Sequence, residues 1–186
     1  PPEELSRKLW GIRFRTPIMN SAGMFKNGEC YEMVARQGAG AYLGGTGTWN
    51  PRRGNTWIKK EKNLETGEEK IVEEIYLPFV PYPNSHSASN WLGLPNDGDE
   101  VNSGRVAQFG RIADTPVGWS IMGSPDFQGE EKLENLVKGM KLYDKAGVDF
   151  LEINESCPNT NHCRPQDDDM VNRLRYLKTV STPSKR

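Results

Sequence analysis

The chain has 186 residues and a formal net charge of −1, so it carries no basic excess that would draw it to a nucleic-acid backbone. It contains no uninterrupted apolar run near the roughly 20 residues of a membrane helix, and Pro1-Pro2-Glu3-Glu4-Leu5 lacks the basic-then-apolar pattern of a secretory signal. Three cysteines, Cys30, Cys157 and Cys163, are too few and too unevenly placed for a disulfide scaffold, which points to a reducing, cytoplasmic setting.

Taken in order, Trp10 to Phe14 alternates weakly and predicts a short strand or hairpin arm. Pro17-Ile18-Met19 predicts a first core strand with a tight exit through Asn20-Ser21-Ala22-Gly23. Glu29 to Arg36 predicts a helix ending at Gly38, and Gly40 to Gly45 a second strand, which together make a βαβ rhythm. The rhythm breaks in a long excursion from about 46 to 95. Within it, Lys59 to Lys70 is charged around Thr66-Gly67 and predicts a solvent-exposed hairpin. Ile71 to Val80 is apolar and suited to cover a site or a partner surface. An excursion of this length without a clear helix is more often functional than not.

The rhythm then resumes. Asp99 to Ile112 predicts a helix weakened by Gly104 and Gly110, and Pro116 to Ile121 a third strand. Gly129 to Ala146 is the clearest helix, with Leu133, Leu136, Val137, Met140, Leu142 and Tyr143 supplying most of an apolar face and Gly147 to cap it. Gly147 to Ile153 predicts the fourth strand and Asp167 to Thr179 the last helix. Four strand–helix units predict an α/β fold, the first half of a (β/α)8 TIM barrel. A complete barrel takes about 250 residues, and four parallel strands leave two open edges. Completion by another polypeptide or a clipped continuation is therefore expected. The alternative is a small open sheet with a ligand at its strand ends.

Chemistry concentrates where the fourth strand ends, in Asn154-Glu155-Ser156-Cys157-Pro158-Asn159. A rigid strand tip followed by a polar loop is the usual setting of an α/β active site. Pro158 biases Cys157 toward an extended backbone, which fixes the angle of its thiol. Cys157 is a candidate nucleophile, base or metal ligand. His162 and Cys163 are near it in sequence, but the spacing is not that of a zinc site, and no metal is expected. Asn154 and Asn159 can match the donor and acceptor edges of a small planar ligand without adding charge. Asn20 to Gly23 and Gly44 to Thr48 offer small residues at strand exits, where a flat cofactor can approach the backbone. Neither stretch is a dinucleotide fingerprint or a P-loop.

Several stretches together resemble the dihydroorotate dehydrogenases. They are Asn20-Ser21-Ala22-Gly23, Gly38-Ala39-Gly40-Ala41, Arg53-Gly54-Asn55, Asn90-Trp91-Leu92-Gly93-Leu94-Pro95-Asn96 and Asn154 to Asn159. A cysteine at 157 in place of serine looks like the soluble class 1 branch. The resemblance runs from about Gly11 to Val180 and implies an FMN-binding barrel that oxidises dihydroorotate to orotate in pyrimidine synthesis. In it, Cys157 would be the base that removes the C5 proton while a hydride passes from C6 to the flavin. Asn90, Asn154 and Asn159 would bind substrate, as would the segment Leu92, Gly93 and Leu94. Ala22, Gly23 and Thr46 would line the flavin, with Asn154 touching it as well.

The resemblance also implies partners: the C-terminal half of the barrel, on a second chain or a proteolytic fragment, and a homodimer of the complete barrel. The chain departs from the family at three positions. Gly45 stands where the family has a lysine that contacts substrate and flavin, Glu155 replaces an apolar residue, and Trp91 replaces a smaller one. These departures keep two alternatives open: a related FMN oxidoreductase with another substrate, and a non-catalytic half-barrel that serves as an interaction or regulatory subunit.

Overall fold

The computed structural model describes residues 2–76, 78–112, 114–155, 157 and 167–180. The chain opens with an antiparallel hairpin of β1 (Arg7–Leu9) and β2 (Ile12–Phe14), which turns at Trp10 and Gly11. Helix α1 (Tyr31–Arg36) leads into β3 (Tyr42–Gly47). The excursion contains β4 (Thr56–Lys62), β5 (Glu69–Tyr76), β6 (Phe79–Tyr82) and β7 (Ser87–Asn90). Then come α2 (Asp99–Val106), β8 (Val117–Ile121), α3 (Gly129–Lys145), β9 (Phe150–Ile153) and α4 (Asp167–Thr179).

The body is a parallel sheet in the order β3-β8-β9, with Tyr42 opposite Val117 and Gly118 opposite Phe150. All of β3 and β8 is buried, as expected of parallel strands covered on both faces. On the helix side, Tyr42, Val117, Trp119, Ile121 and Leu151 pack with Tyr31, Val34, Val106, Leu136, Met140 and Tyr143. On the other side Ala41, Leu43 and Phe150 meet Ile12 and Phe14 of the hairpin, so β1 and β2 plug that face. Phe14 and Phe150 lie 5.9 Å apart, centroid to centroid. Helix α3 shows why this sequence reads so clearly. Its apolar face repeats at three and four residues, and Gly147 ends it at φ +85°. Val148 N–H then donates to Tyr143 O and Gly147 N–H to Asp144 O, a Schellman closure.

The parallel sheet has three strands among the described residues, one fewer than the sequence predicts. Pro17-Ile18-Met19 does not form a strand; Ile18 is 74% exposed. The segment still runs beside β3, but through a side chain. Asn20 Nδ2 donates to Leu43 O at 2.7 Å, and Asn20 Oδ1 accepts from Leu43 N–H at 3.1 Å. Gly40 N–H donates to Ile18 O at 2.7 Å. Pro17 has no N–H for a ladder, and the amide of Asn20 supplies the pairing a strand backbone would have made.

The excursion is two exposed hairpins: β4 with β5, which the charged run predicts, and β6 with β7, which it does not. Asn63 Oδ1 closes the first turn by accepting from Glu65 and Thr66 N–H. What the sequence does not show is that the excursion is sewn shut at its base. Arg52 and Asn96 exchange both backbone hydrogen bonds, at 2.8 and 2.9 Å, and Asn55 N–H donates to Leu92 O. The excursion thus leaves the body and returns at one point, delivering Asn90 to Pro95 beside the end of β3. Among the described residues no helix is long and apolar enough to cross a membrane.

Candidate functional site

The carboxyl ends of β3 and β9 and the returning segment after β7 enclose a cavity of about 290 Å³. Every predicted site residue within the described structure lines it. Cys157, Asn154 and Thr46 come from the strand ends. Asn90, Leu92, Gly93 and Leu94 come from the return of the excursion. Ala22 and Gly23 form the wall between them. Asn159 lies outside the described residues, as do His162 and Cys163. A larger hollow of about 690 Å³ adjoins this one and shares Ala22 and Asn154 with it.

Asn154 is held at both ends. Its backbone N–H donates to Ile121 O at 2.9 Å, and its Nδ2 donates to Thr46 Oγ1 at 2.9 Å. Thr46 Oγ1 is in turn 3.0 Å from Ser120 Oγ, so one polar chain runs across the tips of all three parallel strands. A side chain fixed in this way is held at a set angle without rearranging. On the opposite wall, Gly93 and Leu94 both have positive φ, +72° and +60°. Such a backbone turns consecutive amides toward one side, and it is costly at leucine. Asn96 locks the turn: its Nδ2 donates to Leu94 O and to Thr48 Oγ1, and its Oδ1 accepts from Gly98 N–H. Arg52 Nε donates to Gly93 O at 3.3 Å and Arg52 Nη1 pairs with Asp126 at 2.5 Å, tying the same wall to the loop after β8.

The three departures from the family resolve in the structure. Gly45 has φ +92°, and a Cβ there would stand 2.3 Å from Ser120 O, so no lysine fits. A positive charge is nonetheless present on Lys26, the one charged side chain among the described residues that line the smaller cavity. Lys26 Nζ donates to Gly23 O; burial pushes its ammonium below the ordinary lysine value, and nearby Glu29 opposes that shift. Glu155 does not line the cysteine's cavity; its carboxylate is bound to Arg173 on α4 at 2.6 Å. Trp91 does not line the cavity either. Its carbonyl accepts from Asn55 Nδ2 at 2.8 Å.

Lys26 escapes a reading of the sequence because it sits in a turn without periodicity. Its one signal is a lysine between Gly23 and Gly28, directly past a small-residue exit. The Gly45 constraint can be tested on stability. Gly45→Ala is expected to destabilise the fold by about 2–4 kcal/mol, combining positive-φ strain with a backbone clash. Gly104→Ala in α2, where a Cβ meets nothing within 4 Å, serves as control. It is expected to raise stability by about 0.5–1 kcal/mol. Urea unfolding of both variants checks the contrast.

The residues fit a flat cofactor at one wall. Gly23 has φ +91° with no atom within 4 Å of a would-be Cβ, so open space lies directly over its backbone. Ala22 and Thr46 flank it with short side chains, and the larger hollow continues past Asn154. The smaller cavity then holds the thiol, the amide of Asn154, the ammonium and the backbone turn around one space of substrate size.

Comparisons with known proteins agree with this geometry. The dihydroorotate dehydrogenase family model matches residues 4–60. A dihydroorotate dehydrogenase (quinone) of Aliivibrio fischeri strain MJ11 is 28% identical over 178 residues, covering 90% of this chain and 45% of its own length. One from Thermosynechococcus vestitus is 26% identical over 183 residues, covering 97% of this chain and 44% of its own length. These relatives carry the quinone designation, so they lend no support to the class 1 branch. Among solved structures, dihydroorotate dehydrogenase from Eimeria tenella in complex with ferulenol superposes with a TM-score of 0.74 at 23% identity, over 96% of this chain and 44% of that one. The ligand-free form of the same enzyme gives 0.73. The chain thus has the fold of part of a dihydroorotate dehydrogenase barrel, is similar in sequence to that family over residues 4–60, and spans about half the length of the curated relatives it matches.

Proposed function

We propose that this chain is the N-terminal half of a flavin-dependent oxidoreductase that converts dihydroorotate to orotate, completed by the remaining half of the barrel. One observation carries the reading: residues from four separate stretches of sequence line a single cavity at the strand ends. Among the described residues the outer edge of β9 carries no strand partner, which supports completion by further polypeptide, because an unpaired parallel edge requires a neighbour. Cys157, in the position where the class 1 branch has its base, favours that branch's proton chemistry.

Cys157, as thiolate, takes the proton from substrate C5 and so makes C6 a better hydride donor. Asn154, held by Thr46, hydrogen-bonds the amide edge of the ring and fixes its plane against the wall at Gly23. Lys26 and the backbone amides around Gly93 hold the carboxylate end, which sets C5 toward the thiol. Ala22, Gly23 and Thr46 would hold FMN, which when bound supplies the hydride acceptor. Asn90 and Leu92 to Leu94 close the cavity against water.

Titration of the full-length protein with orotate tests the reading independently of turnover. Saturable binding is expected. Lys26→Ala and Asn154→Ala should each weaken it by about tenfold to a hundredfold, the usual worth of a hydrogen bond to a charged or oriented group. A folded parent protein that shows no orotate binding would contradict the assignment and favour a different substrate.

A further inference from the structure

Glu155 lies two positions before Cys157, and its side chain is turned to α4. Arg173 Nη2 donates to Glu155 Oε2 at 2.6 Å and Arg173 Nε to Oε1 at 3.4 Å, so one edge of the guanidinium grips both carboxylate oxygens. The two side chains are only 18% and 23% exposed. A third charge joins them. Lys132 of α3 lies close enough to both that Arg173 pushes its ammonium down and Glu155 pushes it up, on top of the lowering by burial. The stem of Lys132 lies over Gly123, where a Cβ would come within 2.9 Å of it. The Arg173 guanidinium of α4 thus holds the carboxylate at the root of the segment that carries the thiol, with the stem of Lys132 packed over Gly123.

An exposed ion pair contributes little because solvent screens it and its side chains must be ordered. This pair differs on both counts, being mostly withdrawn and forked. It also joins distant parts of the chain, since α4 follows the cysteine and Glu155 precedes it by two residues. Neither partner lines the cavity that holds Cys157, although Glu155 does line the larger hollow beyond Asn154.

We propose that the Glu155–Arg173 pair positions Cys157 by anchoring the backbone just before the thiol to the helix that follows it. These are positioning residues, and the proposal rests on the reading of Cys157 as the base. Loss of the pair frees the Glu155 backbone, and with it the distance from sulfur to the proton it must remove.

The test is the rate at which iodoacetamide alkylates Cys157 in the full-length protein, resolved from the other cysteines by peptide mass spectrometry. At about pH 10 an ordinary thiol is largely ionised, so the rate there reports access rather than charge. Glu155→Gln and Arg173→Met are each expected to speed alkylation by roughly threefold or more. They should lower kcat for dihydroorotate about tenfold with KM changed less than about twofold. The reversed pair, E155R with R173E, should return alkylation to within about twofold of the parent. Arg173→Lys, which keeps the charge without the fork, should fall between and serves if the methionine variant does not fold. Single variants that alkylate at the parent's rate would overturn the proposal. So would singles and reversed pair that are equally fast and equally destabilised, because that pattern marks a role in folding alone. Should the parent fail to oxidise dihydroorotate, the functional reading falls while the alkylation rates still decide the role of the pair.

Discussion

Replacing Cys157 by alanine is expected to lower turnover of dihydroorotate by about 10²–10⁴-fold, the range supplied by a general base, while flavin stays bound. The cavity is built so that the two effects separate. The wall proposed to hold the flavin consists of Ala22, Gly23 and Thr46, whose positions are set by Gly23 N–H donating to Gly45 O at 2.6 Å and by the contact of Thr46 with Ser120. The thiol belongs to the segment after β9 and makes none of these bonds. Asn154, three residues earlier, is held by Ile121 and Thr46 and does not depend on the sulfur. Steady-state rates and flavin content of the purified variant are the measurements. Unchanged turnover would remove Cys157 from the mechanism.

A second large effect is expected from Asp99, which the substrate never touches. Its carboxyl is fully buried between β3 and α3. Tyr143 OH donates to Oδ1 at 3.0 Å, and Oδ2 has no hydrogen-bond partner among the described residues. Burial raises its pKa to about 7 from 3.8, with the Tyr143 hydrogen bond opposing the rise. The folded state therefore binds a proton that the unfolded state releases between these values. Its stabilising effect is complete below pH 3.8 and is lost as pH rises toward 7. At 1.36 kcal/mol per unit the loss is at most about 4 kcal/mol across that window. Asp99→Asn keeps the shape and cannot ionise. It is expected to flatten this dependence and to be more stable than the parent by about 2–4 kcal/mol at pH 8. Urea unfolding at pH 5 and 8 checks it. Equal pH dependence in both proteins would mean that Asp99 keeps an ordinary acidity.

Asp99 also shows where sequence reading stops. At the first position of α2 an acidic residue reads as a solvent-facing partner of the helix dipole. Only the packing shows that Gly47 and Gly139 leave a pocket for it, with a Cβ at either glycine falling about 2.4–2.5 Å from a carboxylate oxygen. The strand–helix order was legible, by contrast, because β3, β8 and α3 bury whole faces and their apolar spacing records that burial. Pro17 to Met19 misled because apolar residues stand in extended chain there, while the bonding is done by Asn20. Cys157, Asn154 and the Leu92 to Leu94 turn were legible because each couples a strand end or hairpin return to compact polar chemistry. Lys26 and Arg173 were not: Lys26 sits in a turn without periodicity, and Arg173 reaches its partner only through the fold, across 18 positions of sequence.

The most direct test of the whole account is anaerobic mixing of flavin-loaded, full-length protein with dihydroorotate, following the visible absorbance of the flavin. The account predicts that the absorbance is lost as orotate appears in equal amount, and that Cys157→Ala, equally loaded, keeps its colour over the same interval. A parent protein whose flavin stays oxidised under saturating dihydroorotate would contradict it.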